Sequence, residues 1–67
     1  MYVSPNFKSK AAAKRAIAAG ETIVQHAVGL NRPIANGTVA VEGPWYPDPH
    51  KWYGTATIKD GVVVKIV

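Results

Sequence analysis

The chain contains no cysteine, and only four acidic residues stand against eight lysines and arginines. Without thiols it can form neither a disulfide scaffold nor a thiolate zinc site, which are two common supports of very small folds. Stability must therefore come from side-chain packing or from self-association, and a homo-oligomer is left open.

Long hydrophobic runs are also missing. No apolar stretch approaches the roughly 20 residues of a membrane span, and Met1 to Pro5 lack the basic and then apolar order of a secretory signal. We expect a cytoplasmic protein without a membrane segment. Its 67 residues leave room for a single domain over residues 1–67, and a hydrophobic content of 48% predicts a folded globule.

Residues 10–19 predict a helix. Ser9 is a favourable N-cap, alanines and basic residues follow it, and Gly20 can take the left-handed conformation that ends a helix. Ahead of the helix, a very short strand at Tyr2 and Val3, before a proline turn, is left open.

The rest of the chain alternates strand-like runs with turn residues. Strands are predicted over 22–28, 38–42, 53–59 and 62–67, and the loop 29–36 is expected to fold Leu30 and Ile34 back as plugs. The resulting fold class is α+β, with one short N-terminal helix packed on a three- or four-stranded antiparallel sheet.

Two registers compete in the last hairpin. A two-residue turn at Asp60-Gly61 scatters apolar side chains over both faces, whereas a three-residue loop from Lys59, with Gly61 left-handed, collects them on one face. We therefore predict the three-residue loop. Its core face is Ala56, Ile58, Val62, Val64 and Ile66, with Thr55, Thr57, Lys59, Val63 and Lys65 outward. The same register pairs Val39 with Ile58, Val41 with Ala56, Gly43 with Gly54 and Trp45 with Trp52. A slip of two residues would preserve the facing, so the pairing of Trp45 with Trp52 is a hypothesis.

Residues 43–54 hold three of the five prolines, both tryptophans and two of the three tyrosines. Prolines restrict the loop, and large rings offer contact area at low entropy cost, which is typical of a binding surface. We predict that the loop binds a protein partner. The predicted contact residues are Trp45, Tyr46, Pro47, Asp48, Pro49, His50, Lys51, Trp52 and Tyr53. A competing interpretation places Trp45 and Trp52 in the core, and a mixture would bury one tryptophan and expose the tip, 46–50.

A basic segment carries the whole net charge of +4, because the other cations are matched by the acidic residues. It consists of Lys8, Lys10, Lys14 and Arg15. Lys10 and Lys14 repel each other at i,i+4, and cations at a helix N-terminus oppose its dipole. The alternative function is therefore binding of nucleic acid through these residues. The competing interpretation is that they form a charged helix face exposed to solvent, without a binding role.

Catalytic and metal-binding patterns are weak. His26, His50, Glu42 and Asp48 are the plausible proton carriers or metal ligands, but no recognised spacing organises them. No nucleophile is placed to use the Asp48-Pro49-His50 segment. We expect a protein that is not an enzyme and that uses neither a cofactor nor a metal.

Four segments carry a family resemblance. They are Phe7-Lys8-Ser9-Lys10-Ala11-Ala12, Ala18-Ala19-Gly20-Glu21, Asn36-Gly37-Thr38-Val39-Ala40-Val41-Glu42-Gly43-Pro44, and Tyr46-Pro47 followed by Pro49-His50-Lys51-Trp52-Tyr53. Together they resemble small uncharacterised proteins of bacteriophages and prophages. The resemblance implies an accessory or host-inhibitory role in a bacterial cytoplasm. Trp45 stands where such proteins are expected to have histidine, which puts in doubt any role that needs an imidazole there.

Overall fold

The structure, a computed structural model, describes residues 1–27, 29 and 32–67. These residues form one helix and five strands, in the order β1 (Tyr2–Ser4), α1 (Lys10–Ala18), β2 (Val24–His26), β3 (Gly37–Gly43), β4 (Trp52–Lys59) and β5 (Val62–Ile66). All pairings are antiparallel, and the strands lie side by side in the order β1-β2-β5-β4-β3. The α+β class is confirmed, but the sheet has five strands rather than the predicted three or four.

Helix α1 has the predicted caps. The Ser9 hydroxyl accepts a hydrogen bond from the Ala12 N–H at 3.1 Å, and Gly20 follows the helix with φ of 82°. Ala13 and Ala16 are buried, and their small side chains let the helix lie close to β4 and β5. Its nine residues fall far short of a bilayer-spanning length, and the described residues hold no other helix.

Strand β1 brings the two edges of the sheet together at one corner. It pairs with β2 along its length, and the Met1 carbonyl accepts a hydrogen bond from the Glu42 N–H in β3 at 3.1 Å. The sheet therefore curls around a single core beside the connection between β3 and β4. The buried core cluster is Val3, Ala13, Ala16, Ile23, Val41, Trp52, Ala56, Ile58, Val63 and Ile66.

Strand β2 is shorter than predicted, covering Val24–His26 rather than 22–28. The Gln25 side chain joins this strand to the loop that follows: its amide nitrogen donates to the Ile34 carbonyl at 2.7 Å, and its oxygen accepts from the Ile34 N–H at 3.0 Å. Ile34 packs against the core as expected. Val28 and Leu30, for which a strand end and a plug were predicted, lie outside the described residues.

The last hairpin turns through two residues, so the predicted three-residue loop is wrong. Asp60 and Gly61 have φ of 51° and 81°, and a tight hairpin turn of this kind needs both central residues left-handed. Lys59 therefore pairs with Val62, and the predicted pairing of Ile58 with Val62 does not form.

The short turn alone would place apolar side chains on both faces of the sheet. A bulge beside Ile58 returns them to the core face. Ile58 pairs with Val63, but beyond the bulge Ala56 pairs with Ile66. Val63 and Ile66 consequently both face the core, whereas Val64 is 44% exposed. The prediction of Val64 inward and Val63 outward is wrong because one extra residue in a strand reverses its facing.

Pairing between β3 and β4 is shifted by two residues from the prediction. The observed pairs include Val39 with Ala56, Val41 with Gly54, and Gly43 with Trp52. The predicted pairings of Gly43 with Gly54 and of Trp45 with Trp52 are therefore wrong. A two-residue shift keeps Val39 and Val41 on the core face, so facing alone could not select the register.

Candidate functional site

Residues 44–51, here called the aromatic loop, connect β3 to β4. The Lys51 N–H donates to the Gly43 carbonyl at 2.7 Å and closes the base of the loop, while the Asp48 N–H donates to the Trp45 carbonyl at 3.0 Å and forms a turn at its tip. The Asn6 side-chain oxygen accepts from the Trp45 N–H at 2.8 Å. The backbone of the aromatic loop is thus fixed both internally and from the chain preceding α1.

Trp45 holds the aromatic loop against β1 and β2. Its indole N–H donates to the Val3 carbonyl at 2.8 Å. The indole stacks on His26 with ring centroids 4.1 Å apart and an interplanar angle of 10°, and Tyr2 lies beside both rings. Trp45 is half-buried and joins the aromatic loop to β1 and β2, so its role is to support the aromatic loop.

Trp52 belongs to the core. It is buried, and its indole N–H donates to the Phe7 carbonyl at 3.0 Å. The ring lies across Gly43, where an added Cβ would be only 2.5 Å from the indole nitrogen. A glycine at position 43 is therefore what allows Trp52 to close this end of the sheet.

A chain of polar groups runs from Glu42 through His50 to Tyr2. The Glu42 carboxylate lies 3.0 Å from His50 Nδ1, and His50 Nε2 lies 2.8 Å from the Tyr2 hydroxyl. That hydroxyl also accepts the Tyr46 N–H at 2.9 Å. Because the hydroxyl accepts from Tyr46, its own proton is available to Nε2, and a neutral imidazole then donates Nδ1–H to Glu42. This series of hydrogen bonds gives each of its polar groups a partner and holds the tip of the aromatic loop in place.

The tip itself is exposed. Tyr46 is 79% exposed, Pro47, Asp48, Pro49 and Lys51 are exposed, and His50 is half-buried. Tyr53, 61% exposed, lies next to the His50 ring with an edge-to-face centroid distance of 6.4 Å. Of the nine predicted contact residues, Trp52 is buried and Trp45 is half-buried, so the surface falls mainly to the other seven.

Sequence reasoning did not identify several residues that build this site. Tyr2 and Asn6 hold the aromatic loop from 39 or more positions away in the chain. In the sequence, His26 and Glu42 stand out only as plausible proton carriers or metal ligands. No spacing pattern links residues so far apart, and only the closure of β1 onto the sheet brings them together.

Two of the basic residues, Lys8 and Lys14, line different clefts. Lys8 lines a cleft of about 230 Å³ together with Pro44, Asp48, Pro49 and Lys51, so it belongs to the surface of the aromatic loop. Lys14 lines a different cleft of about 280 Å³ beside β5. Arg15 lies in the last turn of α1, where a cation interacts favourably with the helix dipole.

The described residues contain no group of three or more histidine, cysteine, aspartate or glutamate side chains that could hold a metal ion. Comparison of the chain with protein-family models, with curated proteins and with solved structures found no match. Function must therefore be argued from the aromatic loop and its surroundings.

Proposed function

We propose that this chain is a small non-enzymatic protein-binding module that docks its partner through residues 46–51 and Tyr53. One observation carries the proposal: Tyr46 is 79% exposed, yet its backbone N–H is held by the buried Tyr2 hydroxyl at 2.9 Å. The backbone that carries this exposed ring is thus already held before binding, so less main-chain freedom is lost when a partner binds. Exposed tyrosines on such a support are typical of interaction hot spots.

The cleft between Lys8 and Lys51 indicates the chemistry of the partner. Two lysines and one aspartate, Asp48, line this cleft, so its lining residues carry a net positive charge. A partner surface with aspartate or glutamate side chains next to an apolar patch would complement both the cations and the Tyr46 ring.

The polar chain through His50 supports a binding role rather than catalysis. Its hydroxyl end belongs to Tyr2, which is 6% exposed and already hydrogen-bonded to Tyr46 and His50. A substrate would have little access to that oxygen. The further proposal that the protein is a phage-encoded accessory or host-inhibitory protein depends on the sequence resemblance.

The direct test is capture of partners from a bacterial lysate by the wild-type chain and by two alanine variants. Tyr46→Ala should lose the partner, weakening binding by about tenfold or more, because a hot-spot ring is removed. Val64→Ala is the matched control, since it truncates an exposed apolar side chain on β5. Equal binding by Tyr46→Ala and wild type would contradict the proposal.

A second candidate is binding of nucleic acid through Lys8, Lys10, Lys14 and Arg15. It is favoured because the ion pair found among the described residues joins His50 and Glu42 and involves none of these four cations. Reversing Lys10 and Lys14 to glutamate should then abolish binding to a duplex DNA or RNA probe, and wild-type binding should weaken steeply with salt. Retention of the probe by the double variant would argue against this function.

A further inference from the structure

Strand β3 is an edge of the sheet with one side open. Its Gly37 to Val41 stretch pairs with β4, and no other described strand pairs with it there, since the β1 side reaches only Glu42. The Glu42 N–H points away from β4 toward Met1. Peptide groups alternate in direction along an antiparallel strand, so those of Thr38 and Ala40 also point away from β4.

The neighbouring ladder gives the same directions independently. Thr55, the partner of Ala40 in β4, donates its N–H to the Val67 carbonyl at 2.9 Å and accepts the Val67 N–H at 3.0 Å. Both of its backbone groups are therefore used on the β5 side. Ala40 and Thr55 thus form a non-hydrogen-bonded pair. The backbone N–H and C=O of Ala40 therefore point away from β4, toward the open edge.

This edge lacks the usual protection against strand addition. Proteins commonly guard edge strands with charges, prolines or bulges. The segment Gly37-Thr38-Val39-Ala40-Val41 has no charge and no proline, and its pairing with β4 is regular. Met1, Ile34 and Val39 are only partly buried although they pack against the core. The edge therefore combines available hydrogen-bonding groups with incompletely covered apolar side chains.

We propose that a second copy of this chain covers the edge, with the two β3 strands paired antiparallel about a two-fold axis through Val39. Thr38 of each copy then pairs with Ala40 of the other copy. The two-fold axis makes two such pairs, and each pair exchanges two hydrogen bonds. A second copy fits because residues 37–41 are uncharged, so the pairing brings no like charges face to face. A self-complementary two-fold contact is also the commonest way in which soluble proteins associate.

The dimer would carry two aromatic loops. Gly43 lies four positions beyond Val39, and at about 3.4 Å per residue the two Gly43 positions would be roughly 27 Å apart at opposite ends of the paired strands. A partner with repeated sites would then be bound by both loops of one dimer. The dimer itself does not depend on what the aromatic loop binds.

Cysteine cross-linking tests the pairing directly. The chain has no cysteine, so one introduced thiol can form only intermolecular disulfides. Val39 would face its copy across a non-hydrogen-bonded pair, with a Cα separation of about 4.5 Å that suits a disulfide. Mild oxidation of Val39→Cys should therefore give mostly covalent dimer. Thr55→Cys, an exposed position on the inner strand β4, is the control and should stay monomeric.

Faster cross-linking at Thr38→Cys or Ala40→Cys than at Val39→Cys would overturn the proposed register. Cross-linking of Val39→Cys no faster than that of Thr55→Cys would overturn the dimer.

Sedimentation equilibrium provides the second test. The wild-type chain should show a concentration-dependent dimer. Ala40→Pro removes an outward N–H while leaving the hydrogen bonds to β4 intact, so it should fold and dimerise about tenfold more weakly or worse. Thr55→Ala should dimerise like the wild type.

A wild-type chain that stays monomeric at high concentration, or a folded Ala40→Pro variant that dimerises normally, would overturn the proposal. If Ala40→Pro does not fold, the comparison of cross-linking between Val39→Cys and Thr55→Cys decides whether the dimer forms. Loss of the lysate partner by Tyr46→Ala leaves this test unaffected, so the dimer and the proposed binding role can fail separately.

Discussion

At the scale of single residues, the Tyr2 hydroxyl joins β1 to the aromatic loop. It accepts the Tyr46 N–H and lies 2.8 Å from His50 Nε2, while its buried ring lies beside His26 and Trp45. Residues of this kind are hard to recognise from sequence, because a tyrosine at position 2 looks like an ordinary strand residue. Tyr46 shows the opposite case, since one of the sequence interpretations, which exposes the tip at 46–50, already exposes its ring.

We expect Tyr2→Phe to lower the free energy of unfolding by about 1–3 kcal/mol, because the Tyr46 N–H and the His50 imidazole would lose a partner in a partly buried site. Urea denaturation measures the change. Tyr53→Phe is the matched control and should alter stability by less than about 0.5 kcal/mol, since Tyr53 is largely exposed. Equal losses in the two variants would show that the hydroxyl does not hold the aromatic loop.

At the scale of elements, local chemistry explains the helix and the turns better than it explains the strand pairings. Ser9 and Gly20 act within a few residues, so their positions predicted the limits of α1 closely. The prediction for the last hairpin is wrong although its turn residues are local, because a bulge in the strand, rather than a longer loop, brings the apolar residues to one face. The two-residue turn followed by a bulge satisfies both the turn geometry and the core face.

The left-handed turn makes a specific prediction for Asp60. A β-branched residue is strongly disfavoured at φ of 51°, so Asp60→Val should lower the free energy of unfolding by about 1–2 kcal/mol. Asp60→Asn is the control, because asparagine tolerates this conformation and should leave stability nearly unchanged. Thermal denaturation followed by circular dichroism compares the two. A Val variant as stable as the Asn variant would contradict the two-residue turn.

At the scale of the whole molecule, the sheet depends on β1 for closure. Val3 is 1% exposed, and β1 contacts both β2 and the end of β3. The site depends on the same strand, because β1 supplies Tyr2 and the Val3 carbonyl to the aromatic loop. Loss of packing at β1 should therefore weaken the fold and the proposed binding surface together.

Val3→Ala should lower the free energy of unfolding by about 2 kcal/mol, through lost burial and the cavity left behind. Val64→Ala removes the same atoms from a side chain that is 44% exposed and should cost far less. Guanidinium denaturation of both variants measures the difference. Similar costs at the two positions would mean that β1 does not close the core.

The sequence by itself determined the α+β class, the limits of α1 and the exposed tip of the aromatic loop, because capping, turn and alternation preferences act over neighbouring residues. Only the tertiary structure decided the pairing of β3 with β4, the bulge opposite Thr57 and the attachment of Trp45, Tyr46 and His50 to β1. Shifts of two residues preserve the facing of every side chain, so facing does not select the register; in the observed register the Trp52 ring lies over Gly43, which has no side chain to obstruct it. Contacts across some 40 residues exist only once the sheet has closed.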